Sequence, residues 1–261
     1  MAAERFSERL AARIAATGSH LCVGLDPRVE QHGGDPLAVE SFLRQVIEET
    51  AAHAAAFKPN SAYFEALGSD GVAMLEQIIE LIPEEVPVIL DVKRSDIGAT
   101  QERYAEACFE RWGADAATLN PFMGYDSIVP FLDHPGRGVY LLAVTSNPGS
   151  ADIQRRECGG RKIYEFVGEF AERARSEGAA TDVGLVVGLT NAGEEVLAGL
   201  PDVPLLVPGL GAQGGDLGAL AGTGRQAPIV VNVSRGVLYG EDGTPGSRAA
   251  GFRAQIATAL D

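Results

Sequence analysis

The chain has 261 residues, and 21 lysines and arginines against 36 aspartates and glutamates leave a formal charge of −15, with 46% of residues hydrophobic. That balance excludes a nucleic-acid binder, because phosphate backbones are engaged by dense Lys/Arg surfaces that release counterions, and no basic run is present. Any anionic ligand must therefore be held by a few local cations.

The length suits one domain over residues 1–261, a size that α/β barrels reach as a single unit. At the start, Glu4 and Glu8 interleave with Arg5 and Arg9, which does not read as the apolar core of a secretory signal. Phe6, Leu10 and Ile14, spaced by four, instead predict one face of a leading helix over about 3–17. No apolar stretch approaches the ~18 residues of a membrane span. Cys22, Cys108 and Cys158 are odd in number and lack metal-type spacing, a usage that fits a reducing compartment better than a disulfide framework. A cytoplasmic protein without membrane or nucleic-acid partners is the expectation.

Along the chain, short apolar runs rich in β-branched residues predict strands at 21–26, 55–60, 87–93, 116–120, 138–145, 183–190, 203–210 and 228–234. Their ends recur about every 30 residues, the length of a βα unit. Between them, 39–54, 70–82, 98–112, 161–177 and 246–260 have the composition and apolar spacing of amphipathic helices. Ser69/Asp70 and Asp96 are N-cap signals for the second and third of these. Continuous apolar strands imply burial on both faces, as a parallel sheet requires. Eight such units without a composition break predict an α/β fold, an eight-stranded parallel (β/α)₈ barrel. The longest irregular stretch, 146–160, follows the fifth strand, and a loop of that length is more often functional than merely connecting. Active sites of such barrels lie at the C-terminal ends of the strands.

Two of those ends carry lysine. Of the 21 cations 18 are arginine, and the lysines are Lys58, Lys93 and Lys162. Lys58 closes the second strand and Lys93 the third, in Asp91-Val92-Lys93-Arg94-Ser95-Asp96. Strand alternation puts Asp91 and Lys93 on one face. Lys58, Asp91, Lys93 and Asp96 together carry no net charge, which limits the penalty of gathering ionised groups in a partly dry site. Lysine differs from arginine in acting as a compact point charge that can give up a proton, so its placement here points to chemistry more than to a solvated surface.

A second cluster lies at the last two strands. Gly209, Gly211 and Gly214 belong to a turn, Pro208–Asp216, whose backbone N–H groups could cradle a phosphate or simply allow tight packing. The same glycines match G-x-G-x-x-G, but Ser234 stands twenty residues on, where a dinucleotide site needs an acidic ribose ligand. Arg235 supplies a cation close by, in the region where barrels of this type often bind phosphate. The four histidines lack metal-ligand spacing, and neither a G-x-S-x-G elbow nor a G-x-x-x-x-G-K-[ST] loop occurs.

DVKRSDIGAT (91–100) resembles the D-x-K-x-x-D signature of the orotidine 5′-phosphate decarboxylase family, and FKPNSAYFEALG, LLAVTSNPGS, VPGLGAQGGD and NVSRGV resemble its long bacterial branch. The similarity runs from VGLDP (23–27) to the last strand, with the motifs in the family's order. It implies a homodimeric barrel that converts orotidine 5′-monophosphate to UMP and CO₂ without metal or organic cofactor. It further implies that Lys93 protonates C6, Asp91 lies beside the substrate carboxylate, and Lys58 hydrogen-bonds the ribose and orients Asp91. Asp26 would bind a ribose hydroxyl, Ser146 the pyrimidine with Pro148 packed near it, and Gln213, Arg235 and the amides around Gly236 the phosphate. Asp96 and Thr100 would reach into the partner subunit's site. The alternatives are a metal-dependent sugar-phosphate decarboxylase, aldolase or epimerase of the same barrel class, which needs a further carboxylate for its ion, and a non-catalytic nucleotide-phosphate binding protein.

Overall fold

Each of the eight apolar runs forms a strand in the computed structural model, which describes residues 4–209 and 217–260. The strands are β1 (Leu21–Leu25), β2 (Ala56–Pro59), β3 (Ile89–Arg94), β4 (Ala116–Leu119), β5 (Gly138–Val144), β6 (Glu157–Cys158), β7 (Arg161–Lys162), β8 (Asp182–Val187), β9 (Leu205–Pro208) and β10 (Ile229–Val233). All but β6 and β7 belong to one parallel sheet of order β2-β1-β10-β9-β8-β5-β4-β3. Its two ends meet through parallel bridges between Phe57 and Val88 and between Asn60 and Asp91, so the sheet closes as a barrel. The described helices are α1 (Phe6–Thr17), α2 (Pro36–Thr50), α3 (Ser61–Glu65), α4 (Gly68–Glu80), α5 (Gly98–Glu106), α6 (Ile163–Ser176), α7 (Glu194–Ala198), α8 (Arg235–Leu238) and α9 (Pro245–Leu260).

The capping signals were misplaced. Ser69 and Asp70 lie inside the first turn of α4, whose N-cap is Leu67. Asp96 precedes the N-cap of α5, Ile97, and its carboxylate accepts the Ile97 N–H at 2.8 Å. A glycine at each start, Gly68 and Gly98, has positive φ (74° and 52°) and turns the chain into the helix without a side-chain cap. The 146–160 stretch is also more ordered than its composition suggests. It contains a 3₁₀ turn over Pro148–Asp152 and then β6, which pairs antiparallel with β7 just beyond it. Gly159 and Gly160, both at positive φ, form the two-residue hairpin turn. Strands of two residues show no hydrophobic alternation, which is why the hairpin was invisible in the pattern.

Apolar side chains pack on both faces of the barrel wall. Outward-facing residues such as Val23, Leu90 and Leu141 join the helices in the larger core. Inward-facing ones, among them Cys22, Ile89, Tyr140, Val186 and Leu206, fill the barrel itself, and Phe6, Leu10 and Ile14 of α1 join them. The leading helix is thus a plug across the N-terminal end. A Cβ on Gly138 would fall 2.5 Å from the Phe6 ring, so the small residue makes room for that ring, which meets Tyr140 edge-on at 6.0 Å. Arginines at four-residue spacing tether the plug. Arg5 donates to Asp182 at 2.7 Å, Arg9 to Asp115 at 2.9 Å and Arg13 to the Ala51 carbonyl at 2.6 Å. With that end closed, the C-terminal end is left open.

Phe6→Ala should therefore lower the free energy of unfolding by about 3–5 kcal/mol, the range for removing a buried aromatic ring, as measured by urea denaturation. An unchanged midpoint would show that α1 lies against the barrel without stabilising it.

Candidate active site

The open end surrounds a cavity of about 310 Å³. β1 and the turn after it bring Asp26 and Arg28; β2 and its exit bring Lys58 and Asn60, and β3 brings Asp91. The exits of β5, β9 and β10 add Ser146, then Pro208 and Gly209, then Asn232, Ser234, Arg235 and Gly236. Tyr63 and Tyr239 complete the described wall.

Asp91 is the hub. Its Oδ2 accepts a hydrogen bond from Lys58 Nζ at 2.6 Å, and its Oδ1 accepts one from Lys93 Nζ at 2.5 Å and one from Thr118 Oγ1 at 3.0 Å. Thr118 Oγ1 in turn accepts the backbone N–H of Lys93 at 3.0 Å. The Lys58 and Asp91 side chains are only 5% and 10% exposed, whereas Lys93 is 49% exposed and lies outside the described lining of the cavity, held to it through Asp91. Burial works against both ionised forms. For Asp91 the Lys58 and Lys93 ammoniums outweigh it and hold the carboxyl far below the usual carboxylate range. For Lys58 the Asp91 and Asp26 carboxylates outweigh it and hold the ammonium above the ordinary lysine value. The pair is ionised at neutral pH.

Lys93 reaches Asp91 by a different route from simple alternation. The register between β3 and β4 jumps from Leu90–Ala117 to Arg94–Leu119, so β3 carries extra residues there. Lys93 lies in this bulge at φ 44°, the one non-glycine residue with positive φ among those described. Bulges re-aim side chains near active sites, and a residue in this region persists only where its surroundings enforce it. Here the Thr118 hydroxyl holds the Lys93 amide and the Asp91 carboxylate holds its ammonium.

Two acceptors on the other side of the cavity have no donor among the described residues. Asp26 Oδ1 and Asn232 Oδ1 are buried and have no hydrogen-bond partner among those residues, and an oxygen of either kind can accept from a donor such as a hydroxyl. Of the remaining candidates from the sequence, Arg235, Gly236 and Ser146 line the cavity. Pro148 is exposed and lies outside its described lining. Asp96 is partly exposed and Thr100 exposed, and neither is in the described lining of the cavity of its own chain. Gln213 and the glycine turn around it lie outside the described residues. Sequence reasoning missed Thr118, Arg28, Tyr63 and Tyr239. A polar residue inside the otherwise apolar run AATL was the available signal for Thr118; the other three lie in helices and turns with no local mark of function.

The family model "Orotidine 5′-phosphate decarboxylase / HUMPS family" matches residues 19–249. A protein from Variovorax paradoxus named orotidine 5′-phosphate decarboxylase is 44% identical over 260 residues, covering 94% of this chain and 93% of its own. One of the same name from Ralstonia nicotianae is 45% identical over 251 residues, covering 90% of each. The solved structure of OMP decarboxylase from Leishmania donovani superposes with a TM-score of 0.86 at 38% identity, covering 98% of this chain and 99% of that one. Family model, relatives and fold agree along nearly the whole length, and the chain belongs to the orotidine 5′-phosphate decarboxylase family.

Proposed function

We infer that the protein is an orotidine 5′-phosphate decarboxylase, which converts orotidine 5′-monophosphate to UMP and CO₂ in pyrimidine biosynthesis. The observation that carries this reading is the Asp91 carboxylate clamped between the Lys58 and Lys93 ammoniums at the open end of the barrel. When CO₂ leaves, the C6–carboxylate bond breaks and its electron pair stays on C6, where it cannot delocalise into the ring carbonyls. A fixed ammonium stabilises that charge without reorganising, and then quenches it. Lys93 is assigned this work: its Nζ proton passes to C6, and solvent restores the proton afterwards. Its exposure, with the ammonium held on a carboxylate that lines the cavity, supports both steps. Chemistry of this kind needs no metal or organic cofactor.

Asp91 is assigned a place beside the substrate carboxylate, and Lys58 holds Asp91 while donating to the ribose. Asp26, whose Oδ1 has no partner among the described residues, accepts from a ribose hydroxyl. Ser146 donates to the pyrimidine, with Pro148 packing near it once substrate is bound, and Gln213, Arg235 and the Gly236 amide hold the phosphate. Binding of that remote phosphate supplies energy for aligning the ring. The working unit is a homodimer in which Asp96 and Thr100 enter the partner's site. Their position outside the cavity of their own chain supports this, as does the apolar surface beside them: Ile97 is 59% exposed, and Phe122, after the neighbouring strand β4, is 74% exposed. The reaction is assigned to the cytoplasm; among the described residues no helix is long and apolar enough to cross a membrane.

Ultraviolet absorbance of orotidine 5′-monophosphate with purified protein tests the activity: turnover is expected, and none at micromolar protein would refute the assignment. Lys93→Ala should abolish turnover, whereas Arg235→Ala should mainly raise KM; equal, small effects of both would contradict these roles. Neither Asp91→Asn nor Asp96→Asn protein should be active alone, but mixing them should restore one competent site per mixed dimer. Failure to recover activity despite demonstrated subunit exchange would mean that each site is built within one chain.

A further inference from the structure

The phosphate end of the cavity has a second arginine. Arg28 follows β1 and Arg235 follows β10, and these strands are hydrogen-bonded neighbours in register at Val23 and Val233. Both arginines line the cavity. Among the described residues the Arg28 guanidinium has no hydrogen bond or ion pair. This sets it apart from Arg248, which donates to the carbonyls of Val237, Leu238 and Gly243, and from Arg94, which pairs with Glu65 at 2.9 Å.

The Arg28 backbone is nonetheless anchored. Its N–H donates to the Tyr239 hydroxyl at 2.8 Å, and the Tyr239 N–H donates to the Arg235 carbonyl at 2.9 Å. The Tyr239 ring stacks on Phe42 of α2, with centroids 5.4 Å apart and planes 18° from parallel. One side chain therefore ties the Arg28 turn to the segment that carries Arg235. The Lys58–Asp91–Lys93 group stands on β2 and β3, on the far side of β1 from β10, so Arg28 is grouped with the phosphate end and not with the reacting carbon.

We propose that Arg28 is a second phosphate-binding cation, acting with Arg235 across the β1–β10 seam, and that Tyr239 is the positioning residue that holds it. The proposal rests on the decarboxylase reading, because it assigns Arg28 to the 5′-phosphate of that substrate. A phosphate monoester carries about 1.5–2 negative charges at pH 7, and the substrate carboxylate adds another. Lys58, Lys93 and Arg235 face Asp26 and Asp91, a surplus of a single positive charge among the described groups. Arg28 doubles that surplus, and its planar fork of donors matches phosphate oxygens.

The test compares Arg28→Gln and Arg28→Lys with the unaltered protein, using kcat and KM for orotidine 5′-monophosphate and equilibrium Kd for UMP and for uridine. Arg28→Gln should raise KM and the UMP Kd about tenfold or more, the loss expected for one charge-assisted hydrogen bond. It should leave the uridine Kd unchanged, and Arg28→Lys should recover part of the loss. Tyr239→Phe should weaken UMP in the same sense and add little to Arg28→Gln. An unchanged UMP Kd in Arg28→Gln, or equal weakening of UMP and uridine, would overturn the role of Arg28. A full Tyr239→Phe effect on top of Arg28→Gln would overturn that of Tyr239. Because the UMP-to-uridine preference is read by binding, it is decided separately from whether the unaltered protein turns over its substrate.

Discussion

A buried carboxylate between two ammoniums is the constraint on which the open end of this barrel is organised. Asp91 could not stay ionised at its depth without Lys58 and Lys93, and Lys58 could not stay charged without Asp91 and Asp26. Removing one member of such a group costs about 3–5 kcal/mol, because the survivor is left charged in a poor medium. That mutual dependence fixes the Lys93 ammonium in space before any substrate arrives. A proton donor held by electrostatics, with one side open to ligand, is preorganised in the sense that matters for a developing carbanion.

The scaffold is divided between its two ends. At the N-terminal end, α1 fills the barrel with Phe6 and Leu10, and its arginines bind loop carbonyls and carboxylates, so that end contributes packing and holds the strands in place. At the C-terminal end, Asp26 Oδ1 and Asn232 Oδ1 have no partner among the described residues, and Lys93, paired with Asp91, is half exposed. The β3 bulge links the two. It breaks the ladder with β4 and puts Lys93 at positive φ, and Thr118 on the intact part of β4 holds the displaced amide.

Much of the barrel could be read from the chain because its strands are buried on both faces, and such strands appear as continuous apolar runs at βα spacing. Lys58, Asp91 and Lys93 were legible for a related reason: a lysine at a strand end stands out in a chain that otherwise uses arginine. What escaped depended on long-range geometry. No local pattern shows that Tyr239 meets the backbone of Arg28, 211 residues away, or that Thr118 supports a bulge in the neighbouring strand. The β6–β7 hairpin and the glycine-led starts of α4 and α5 escaped because short strands and uncapped helices leave no hydrophobic or capping signature.

The global charge of −15 opposes an anionic ligand at long range, so the local potential of the lysines and arginines at the cavity must overcome it. The excess acid is best understood as a solvated exterior with no part in recognition. If the Lys93 ammonium delivers a proton to C6, it must also exchange one with it. Microscopic reversibility makes this measurable in the product: UMP is incubated with the protein in D₂O, and its C6 hydrogen is followed by proton NMR. The unaltered protein should replace that hydrogen with deuterium, and Lys93→Ala should not, although it still binds UMP. Exchange that continues at the same rate without Lys93 would contradict proton delivery by its ammonium.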